Sequence, residues 1–377
     1  MDFEHPEERR MLVDTLERYL TDRYDFAARQ KIATSPEGHS PGQWRQLVEL
    51  GAVSVLFPEA AGGLGGDAFD VSVVFESLGH WLVIEPFLDT LMVGRALMAA
   101  TGQAQRLAGL VAGEQVASLA HGEPAGHYEA THVTTTARRS GDHWILNGNK
   151  SVVRGAESAD WFLVSARTAG AADAADGIAL FAVPRTTAGV GVRGYARVDG
   201  GRAGDVTLEN VSVPMDAVVG NIGEAAELLE VATQWGLLAL CSESVGTMDV
   251  ARRQTVEYLH TRKQFGVPIG SFQTLQHRMV DLLIEIEQAR SSVINAAAAL
   301  NGGDALARRK AVSAAKYTVG HIGTHVAEEC IQMHGAIGMT WELPLAHYAK
   351  RLVMIDHELG DQDYHLARYT EFGRRAA

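Results

Sequence analysis

From about residue 223 onward the chain is almost free of helix breakers, and nothing else in it limits the possible folds so strongly. The stretch GEAAELLEVATQWGLLALCSESVGTMDVARRQTVEYLH (residues 223–260) has no proline, and only Gly236 and Gly246 interrupt it internally. Two further runs, MVDLLIEIEQARSSVINAAAAL and RRKAVSAAKYTVGHIGTHVAEECIQMH, continue in the same style. Long helices bury their apolar faces most readily against one another, so residues 223–377 are expected to form a four-helix bundle domain.

The text before this differs in two ways. Residues 1–115 read as shorter helices: Met11, Leu12, Leu16, Tyr19 and Leu20 recur at helical spacing, and Val74, Phe75 and Leu78 repeat the pattern within residues 71–82. Residues 116–222 instead carry short Val/Thr/aromatic segments such as THVTTTARR, HWILNGNKSVV, DWFLVSAR and GDVTLENVSVP, separated by turn residues. Asn147-Gly148 falls between two such runs and reads as a hairpin turn, because both residues tolerate positive φ. TAGAADAADG (residues 168–177) reads as a mobile surface loop. The expected fold is α+β, mostly α: an N-terminal helical domain, a middle β-barrel or sandwich domain and a C-terminal bundle. The chain of 377 residues is long enough for all three.

Composition excludes several roles. A formal net charge of -13 opposes a general nucleic-acid or anionic-membrane binder, which needs a positive field. No uncharged apolar run reaches the ~20 residues that span a bilayer, so no membrane insertion is expected. The two cysteines, Cys241 and Cys330, lie in helical text and suggest a reducing compartment. The charged opening MDFEHPEERRMLVDTLERYL lacks a signal peptide's apolar core, so a cytoplasmic protein is expected. The glycine-rich PEAAGGLGGD (residues 58–67) lacks the third glycine of a dinucleotide fingerprint and reads as a flexible connection between helices.

Three motifs carry chemistry. In HTRKQFGVPIGSFQTLQHRM (residues 260–279), Gly266 and Pro268 mark a break between helices, flanked by Arg262, Gln264, Phe265, Gln273 and Gln276. The second is WILNGNK (residues 144–150), and the third is QMHGAIGMT (residues 332–340). At these separations, in a helical–β–helical order, they make the whole chain resemble the acyl-CoA dehydrogenase family. Within it, DRYDF, THVTTTARR, SADWFLVSARTAG and RKQFGVPIGSFQ are most similar to the small subunits of pimeloyl-CoA dehydrogenases.

The resemblance implies FAD-dependent α,β-desaturation of an acyl-CoA thioester, including a dicarboxylyl-CoA, with an electron-transfer flavoprotein as electron acceptor. It also implies an oligomer, of identical chains or with a related subunit. In relatives, the Arg-x-x-Phe-Gly corner and the glutamine after it reach a neighbour's FAD. Carried over, this implies Arg262 on the pyrophosphate, Phe265 on the adenine half, and Gln264 and Gln273 as polar contacts. Gln332 and Gly335 belong to the same set, the glycine allowing close backbone approach.

Two departures from the family pattern stand out. Where relatives read Thr-Glu-Pro-x-x-Gly-Ser, this chain has Gly122-Glu123-Pro124-Ala125-Gly126-His127, and Lys150 is followed by Ser151-Val152-Val153-Arg154 in place of an aromatic and a hydroxyl. His121 and Ser151 are the substitutes available for flavin contact. The catalytic Glu is missing at both family positions, which here are Leu359 and Gly236. Glu358 is one residue early, turned by about 100° on a helix. Glu243, on nearly the same helix face as Gly236, is left with three roles: base, pocket residue, or structural carboxylate bonded to a neighbouring helix. If this chain holds the base, Glu243 is the candidate. The alternative is a non-catalytic subunit that completes a partner's FAD and substrate site.

Of the 15 histidines, His321 and His325 share a helix face with Glu328, and Glu257-x-x-His260 forms a single motif. A di-iron bundle needs a second such motif. It is absent, so no metal centre is expected.

Overall fold

The structure, a computed structural model, describes residues 5–375. In chain order the helices α1 (Glu7–Arg23), α2 (Phe26–Ala33), α3 (Pro41–Glu49), α4 (Ala68–Trp81), α5 (Phe87–Ala99) and α6 (Ala104–Val111) come first. Eight strands follow: β1 (Ala117–Ala120), β2 (Thr136–Ser140), β3 (His143–Arg154), β4 (Trp161–Arg167), β5 (Ile178–Pro184), β6 (Val190–Ala196), β7 (Arg202–Pro214) and β8 (Val218–Val219). Then come α7 (Ala225–Thr261), the short strands β9 (Lys263–Gln264) and β10 (Val267–Pro268), α8 (Gln273–Leu300), α9 (Ala305–His334), α10 (Pro344–His357) and α11 (Gln362–Arg375).

Packing divides the chain into two units. One holds the stretch ending at Arg29, Asp67–Val83 and the chain from Leu237 onward; the other holds Gln30–Gly66 and Ile84–Gly236. In space, then, the N-terminal helices are shared out, α1 and α4 going with the C-terminal helices.

The breaker-free text forms α7, 37 residues long, which belongs to the helical unit from Leu237 onward. α9 packs against α8, α10 and α11, so two short helices close the bundle. The interruption at Gly246 has a packing cause. A Cβ there would lie 2.1 Å from the Glu76 carbonyl of α4, and a Cβ on Gly79 would lie 2.1 Å from the Glu243 carbonyl. Glycine on both helices lets their backbones touch. α4 starts with a capping box, Asp67 accepting from Phe69 and Asp70 amides while Asp70 accepts from the Asp67 amide.

The expected barrel or sandwich takes the form of one mixed eight-stranded sheet, ordered β6-β7-β3-β2-β4-β5-β8 with β1 beside β4. β4 pairs in parallel with β1 and β2; the remaining pairs are antiparallel. Trp144, Leu146, Phe162, Phe181, Leu208 and Val213 build its core.

Three local expectations are corrected. Asn147-Gly148 is not a hairpin turn. β3 runs through it with a register shift between Leu146 and Gly148, and the turn into β3 is Gly141-Asp142, where Ser140 pairs with His143. A dipeptide that tolerates unusual φ serves a bulge as well as a turn, and here a Cβ on Gly148 would lie 2.4 Å from Thr135 Oγ1. The loop at 168–177 is tethered. The buried Arg167 guanidinium donates to the carbonyls of Thr131, Val133, Ala172, Ala174 and Asp176 at 2.8–3.1 Å. Two of the four glycines of residues 58–66 are closely packed: a Cβ on Gly63 or Gly66 would lie 2.0 or 1.5 Å from the Phe57 or Val55 carbonyl, whereas one on Gly62 or Gly65 would meet open space.

Among the described residues no helix is long and apolar enough to cross a membrane.

Candidate functional site

α7 ends at Thr261, and the corner after it is a small hairpin rather than a plain helix break. Gln264 pairs with Val267 and Lys263 with Pro268. Phe265 (φ 55°) and Gly266 (φ 84°) form the two-residue tip. Positive φ at both central positions is what a type I′ turn requires, so Gly266 serves the tip and not a helix C-cap. A phenylalanine there costs on the order of 1–2 kcal/mol, and its ring, 92% exposed, recovers little by internal packing. Strain of this kind clusters at ligand and partner sites.

Arg262, Gln264 and Gln273 are exposed around the tip, as is Gln332 on the last turn of α9. Gln276 is used internally, its Nε2 donating to the Gly270 carbonyl at 2.9 Å. Gly335 ends α9 at φ 67°, ψ -147°, and a Cβ there would meet open space. Tyr258 stacks on His334 with ring centroids 4.3 Å apart, which ties the ends of α7 and α9 together. The Arg262 corner and the Gln332–Gly335 turn therefore emerge at the same end of the unit. A forked cation, a bare aromatic ring, neutral amides and uncovered glycine backbone fit the pyrophosphate and adenine of FAD.

Glu243 lies on α7 and is 7% exposed. Arg351 of α10 holds both of its oxygens, Nε to Oε1 at 2.6 Å and Nη2 to Oε2 at 2.7 Å, and reaches Glu358 Oε1 with Nη1 at 2.7 Å. The catalytic candidate is thus half of a buried bidentate ion pair, the geometry of a carboxylate bonded to a neighbouring helix. Next to it, the turn after α10 is fixed. Buried Lys316 donates to the carbonyls of Asp356 and Gly360 at 2.7 and 2.5 Å, while a His365 ring nitrogen lies 2.9 Å from the Leu359 carbonyl. Burial lowers the Lys316 pKa. Leu359, at φ 56°, offers no proton acceptor on its side chain.

In the sheet unit a second buried pair anchors the segment that departs from the family pattern. Lys150 Nζ donates to Glu123 Oε1 at 2.7 Å, to Ser165 Oγ at 2.9 Å and to the His121 carbonyl at 3.2 Å. Burial drives the Lys150 pKa down to about 8, with Glu123 opposing. Burial also opposes the charge on Glu123, but Lys150, Thr134 and Thr135 outweigh it and bring its pKa down to about 2. His121, beside this cation, falls to about 3 through desolvation and then Lys150; its Nδ1 is 2.8 Å from Ser165 Oγ. The Ser151 amide donates to the Gly122 carbonyl at 2.9 Å. Within the segment after Lys150 that departs from the family pattern, Val152 is exposed at φ 55° and Arg154 lies 3.5 Å from Asp89. These residues do not supply the ring shield and hydroxyl donors of the family pattern.

The sequence reading missed Arg351 and Lys316 and used Lys150 only as a landmark. For Arg351 a signal exists, since it lies seven residues before Glu358 and so on nearly the same helix face.

Three family models match in turn: the acyl-CoA dehydrogenase N-terminal domain at residues 6–112, the middle domain at 118–211 and the C-terminal domain at 226–369. Acyl-CoA dehydrogenase IpdE2 of Mycobacterium tuberculosis is 31% identical over 352 residues, 92% of this chain and 91% of that protein. A solved Tcur3481-Tcur3483 steroid ACAD variant has a TM-score of 0.87 at 28% identity, covering 98% of each chain. The ChsE4-ChsE5 complex from Mycobacterium tuberculosis has a TM-score of 0.87 at 24% identity, with 100% of this chain and 99% of that one covered, and shares the fold.

Proposed function

This chain belongs to the acyl-CoA dehydrogenase family, and we propose that it acts as the member of a hetero-oligomer that completes a related partner's FAD site without supplying the catalytic base. Its cofactor is FAD and its reaction class is acyl-CoA dehydrogenation. Bound FAD supplies the acceptor for the hydride that leaves the substrate's β carbon.

The observation that carries the reading is Arg351's hold on both oxygens of Glu243. A base that takes the α proton needs a carboxylate able to approach that carbon, directly or through one water. The other two positions, Leu359 and Gly236, have no carboxylate. What this chain contributes lies at the α7–α9 end. Arg262 pairs with the pyrophosphate, Phe265 covers the adenine, Gln264, Gln273 and Gln332 bond polar edges, and Gly335 lets backbone close in. The exposed Phe265 ring supports a neighbour's site as the destination. The complex formed by the ChsE4-ChsE5 relative supports a hetero-oligomer.

Within this reading the substrate is an acyl-CoA with a distal carboxylate, and an electron-transfer flavoprotein in the cytoplasm takes the electrons. A flavin absorption spectrum of the purified chain, alone and co-expressed with a related acyl-CoA dehydrogenase chain, tests the proposal. Flavin only in the co-purified complex, reduced by Arg262→Ala, is expected. Full flavin in the isolated chain, unaffected by Arg262→Ala, contradicts it.

A further inference from the structure

One buried cation outside the sites described above pairs with no carboxylate among the described residues. Arg95 of α5 is 7% exposed and lies in the sheet unit together with Leu56, Phe57, Gly66 and Trp235. Its Cζ is 3.4 Å from the Trp235 ring centroid and 5.8 Å from that of Phe57. Gly94 makes room for this, since a Cβ there would lie 2.4 Å from the Phe57 ring. The five N–H groups of the guanidinium are mostly unused. Nη2 donates to the Leu56 carbonyl at 2.5 Å and reaches the Gly66 carbonyl only at 3.4 Å. Nε is buried and bonds to nothing, and Nη1 has no acceptor among the described residues. Other buried cations differ: Arg351 holds Glu243 and Glu358, Lys150 holds Glu123, and Arg167 gathers carbonyls. Burial brings the Arg95 pKa down to about 10, and no neighbouring charge opposes the fall. A desolvated cation with spare donors is costly unless an acceptor meets it.

We infer that Arg95 is the receptor for the carboxylate of a small organic anion with an apolar body. A forked guanidinium matches a carboxylate's oxygens, and the indole and phenyl rings beside it suit an aliphatic chain. A phosphate fits less well, because it carries close to two charges and no second cation acts on this site. Trp235 is partly exposed, so the unused donors lie about one ring's depth below solvent. The carboxylate has two sources, a free short fatty acid or the distal end of an acyl-CoA; only the second rests on the function proposed above.

The test is isothermal titration calorimetry of the full chain with two matched pairs, hexanoate against hexanamide and adipyl-CoA against hexanoyl-CoA, and with inorganic phosphate. Hexanoate is expected to bind at one site per chain, with hexanamide and phosphate weaker by about tenfold or more. Arg95→Gln should weaken hexanoate by a similar factor, and Arg95→Lys, which keeps the charge without the fork, by less. Urea unfolding reports whether each variant is folded, and the hexanamide comparison needs no variant. Adipyl-CoA binding more tightly than hexanoyl-CoA, with the difference lost in Arg95→Gln, assigns the distal end of the thioester. Equal binding of the two esters beside tighter hexanoate assigns the free acid. No preference for the carboxylate in either pair, or a preference unchanged in Arg95→Gln, overturns the inference and leaves water as the partner of these donors. That outcome leaves the flavin spectrum of the complex unchanged, so the subunit reading stands or falls separately.

Discussion

A carboxylate serves as a base toward carbon only while it is free to approach the proton, and one gripped by a forked guanidinium is not. Glu243 and Arg351 sit close-packed with Glu358 as a third charge. Removing one member of a buried pair leaves the others desolvated and uncompensated, a loss of about 3–5 kcal/mol. Arg351→Met is therefore expected to lower the midpoint of urea unfolding sharply, whereas Glu243→Gln, which keeps an oxygen acceptor, should lower it less. The pair in the sheet unit adds a pH signature. Glu123 titrates near about 2 when folded, against an ordinary 4.5. A depressed carboxylate contributes stability that is full above about 4.5 and is lost as pH falls toward about 2. Glu123→Gln should thus be markedly less stable than wild type at neutral pH, and the gap should narrow by about pH 3. A constant gap in urea unfolding across that range would show that the ion pair contributes no pH dependence.

At the scale of elements, Arg167 does what sequence patterns conceal. Its guanidinium gathers carbonyls from residues on both sides of it in sequence, so the loop at 168–177 is ordered by a strand residue outside it. Arg167→Ala should leave the sheet folded but raise amide exchange at Thr168 and Val133, whose N–H groups bond Gly177 and Ala172 carbonyls. Unchanged exchange there would mean the loop holds itself. The long helices were legible because a stretch without breakers has few alternatives. Asn147-Gly148 was misread because local φ tolerance does not distinguish a turn from a bulge; the glycine is required by Thr135, thirteen residues before it and packed on Gly148. The Arg262 corner was legible as a break, but its hairpin form was not. Glu243's partner is 108 residues distant, so the ion pair had no local signal.

For the whole molecule, exposed apolar surface bears on assembly. Val280, Leu283 and Ile284 of α8 are exposed three and four residues apart, on one helix face, and Phe265 and Phe272 precede them exposed as well. An oligomer built on the C-terminal helices is expected by light scattering, with Leu283→Asp and Ile284→Asp together shifting it to smaller species. A wild-type monomer would contradict this. The central claim is that the proton-abstracting carboxylate belongs to a partner chain. Dye-coupled turnover of an acyl-CoA tests it most directly, measured for wild type, Glu243→Gln and Glu358→Gln, each alone and with the co-expressed partner. Expected are negligible turnover of the chain alone and substantial turnover of the complex that neither substitution changes by more than about a few-fold. High turnover of the isolated wild-type chain, abolished by Glu243→Gln, would contradict it.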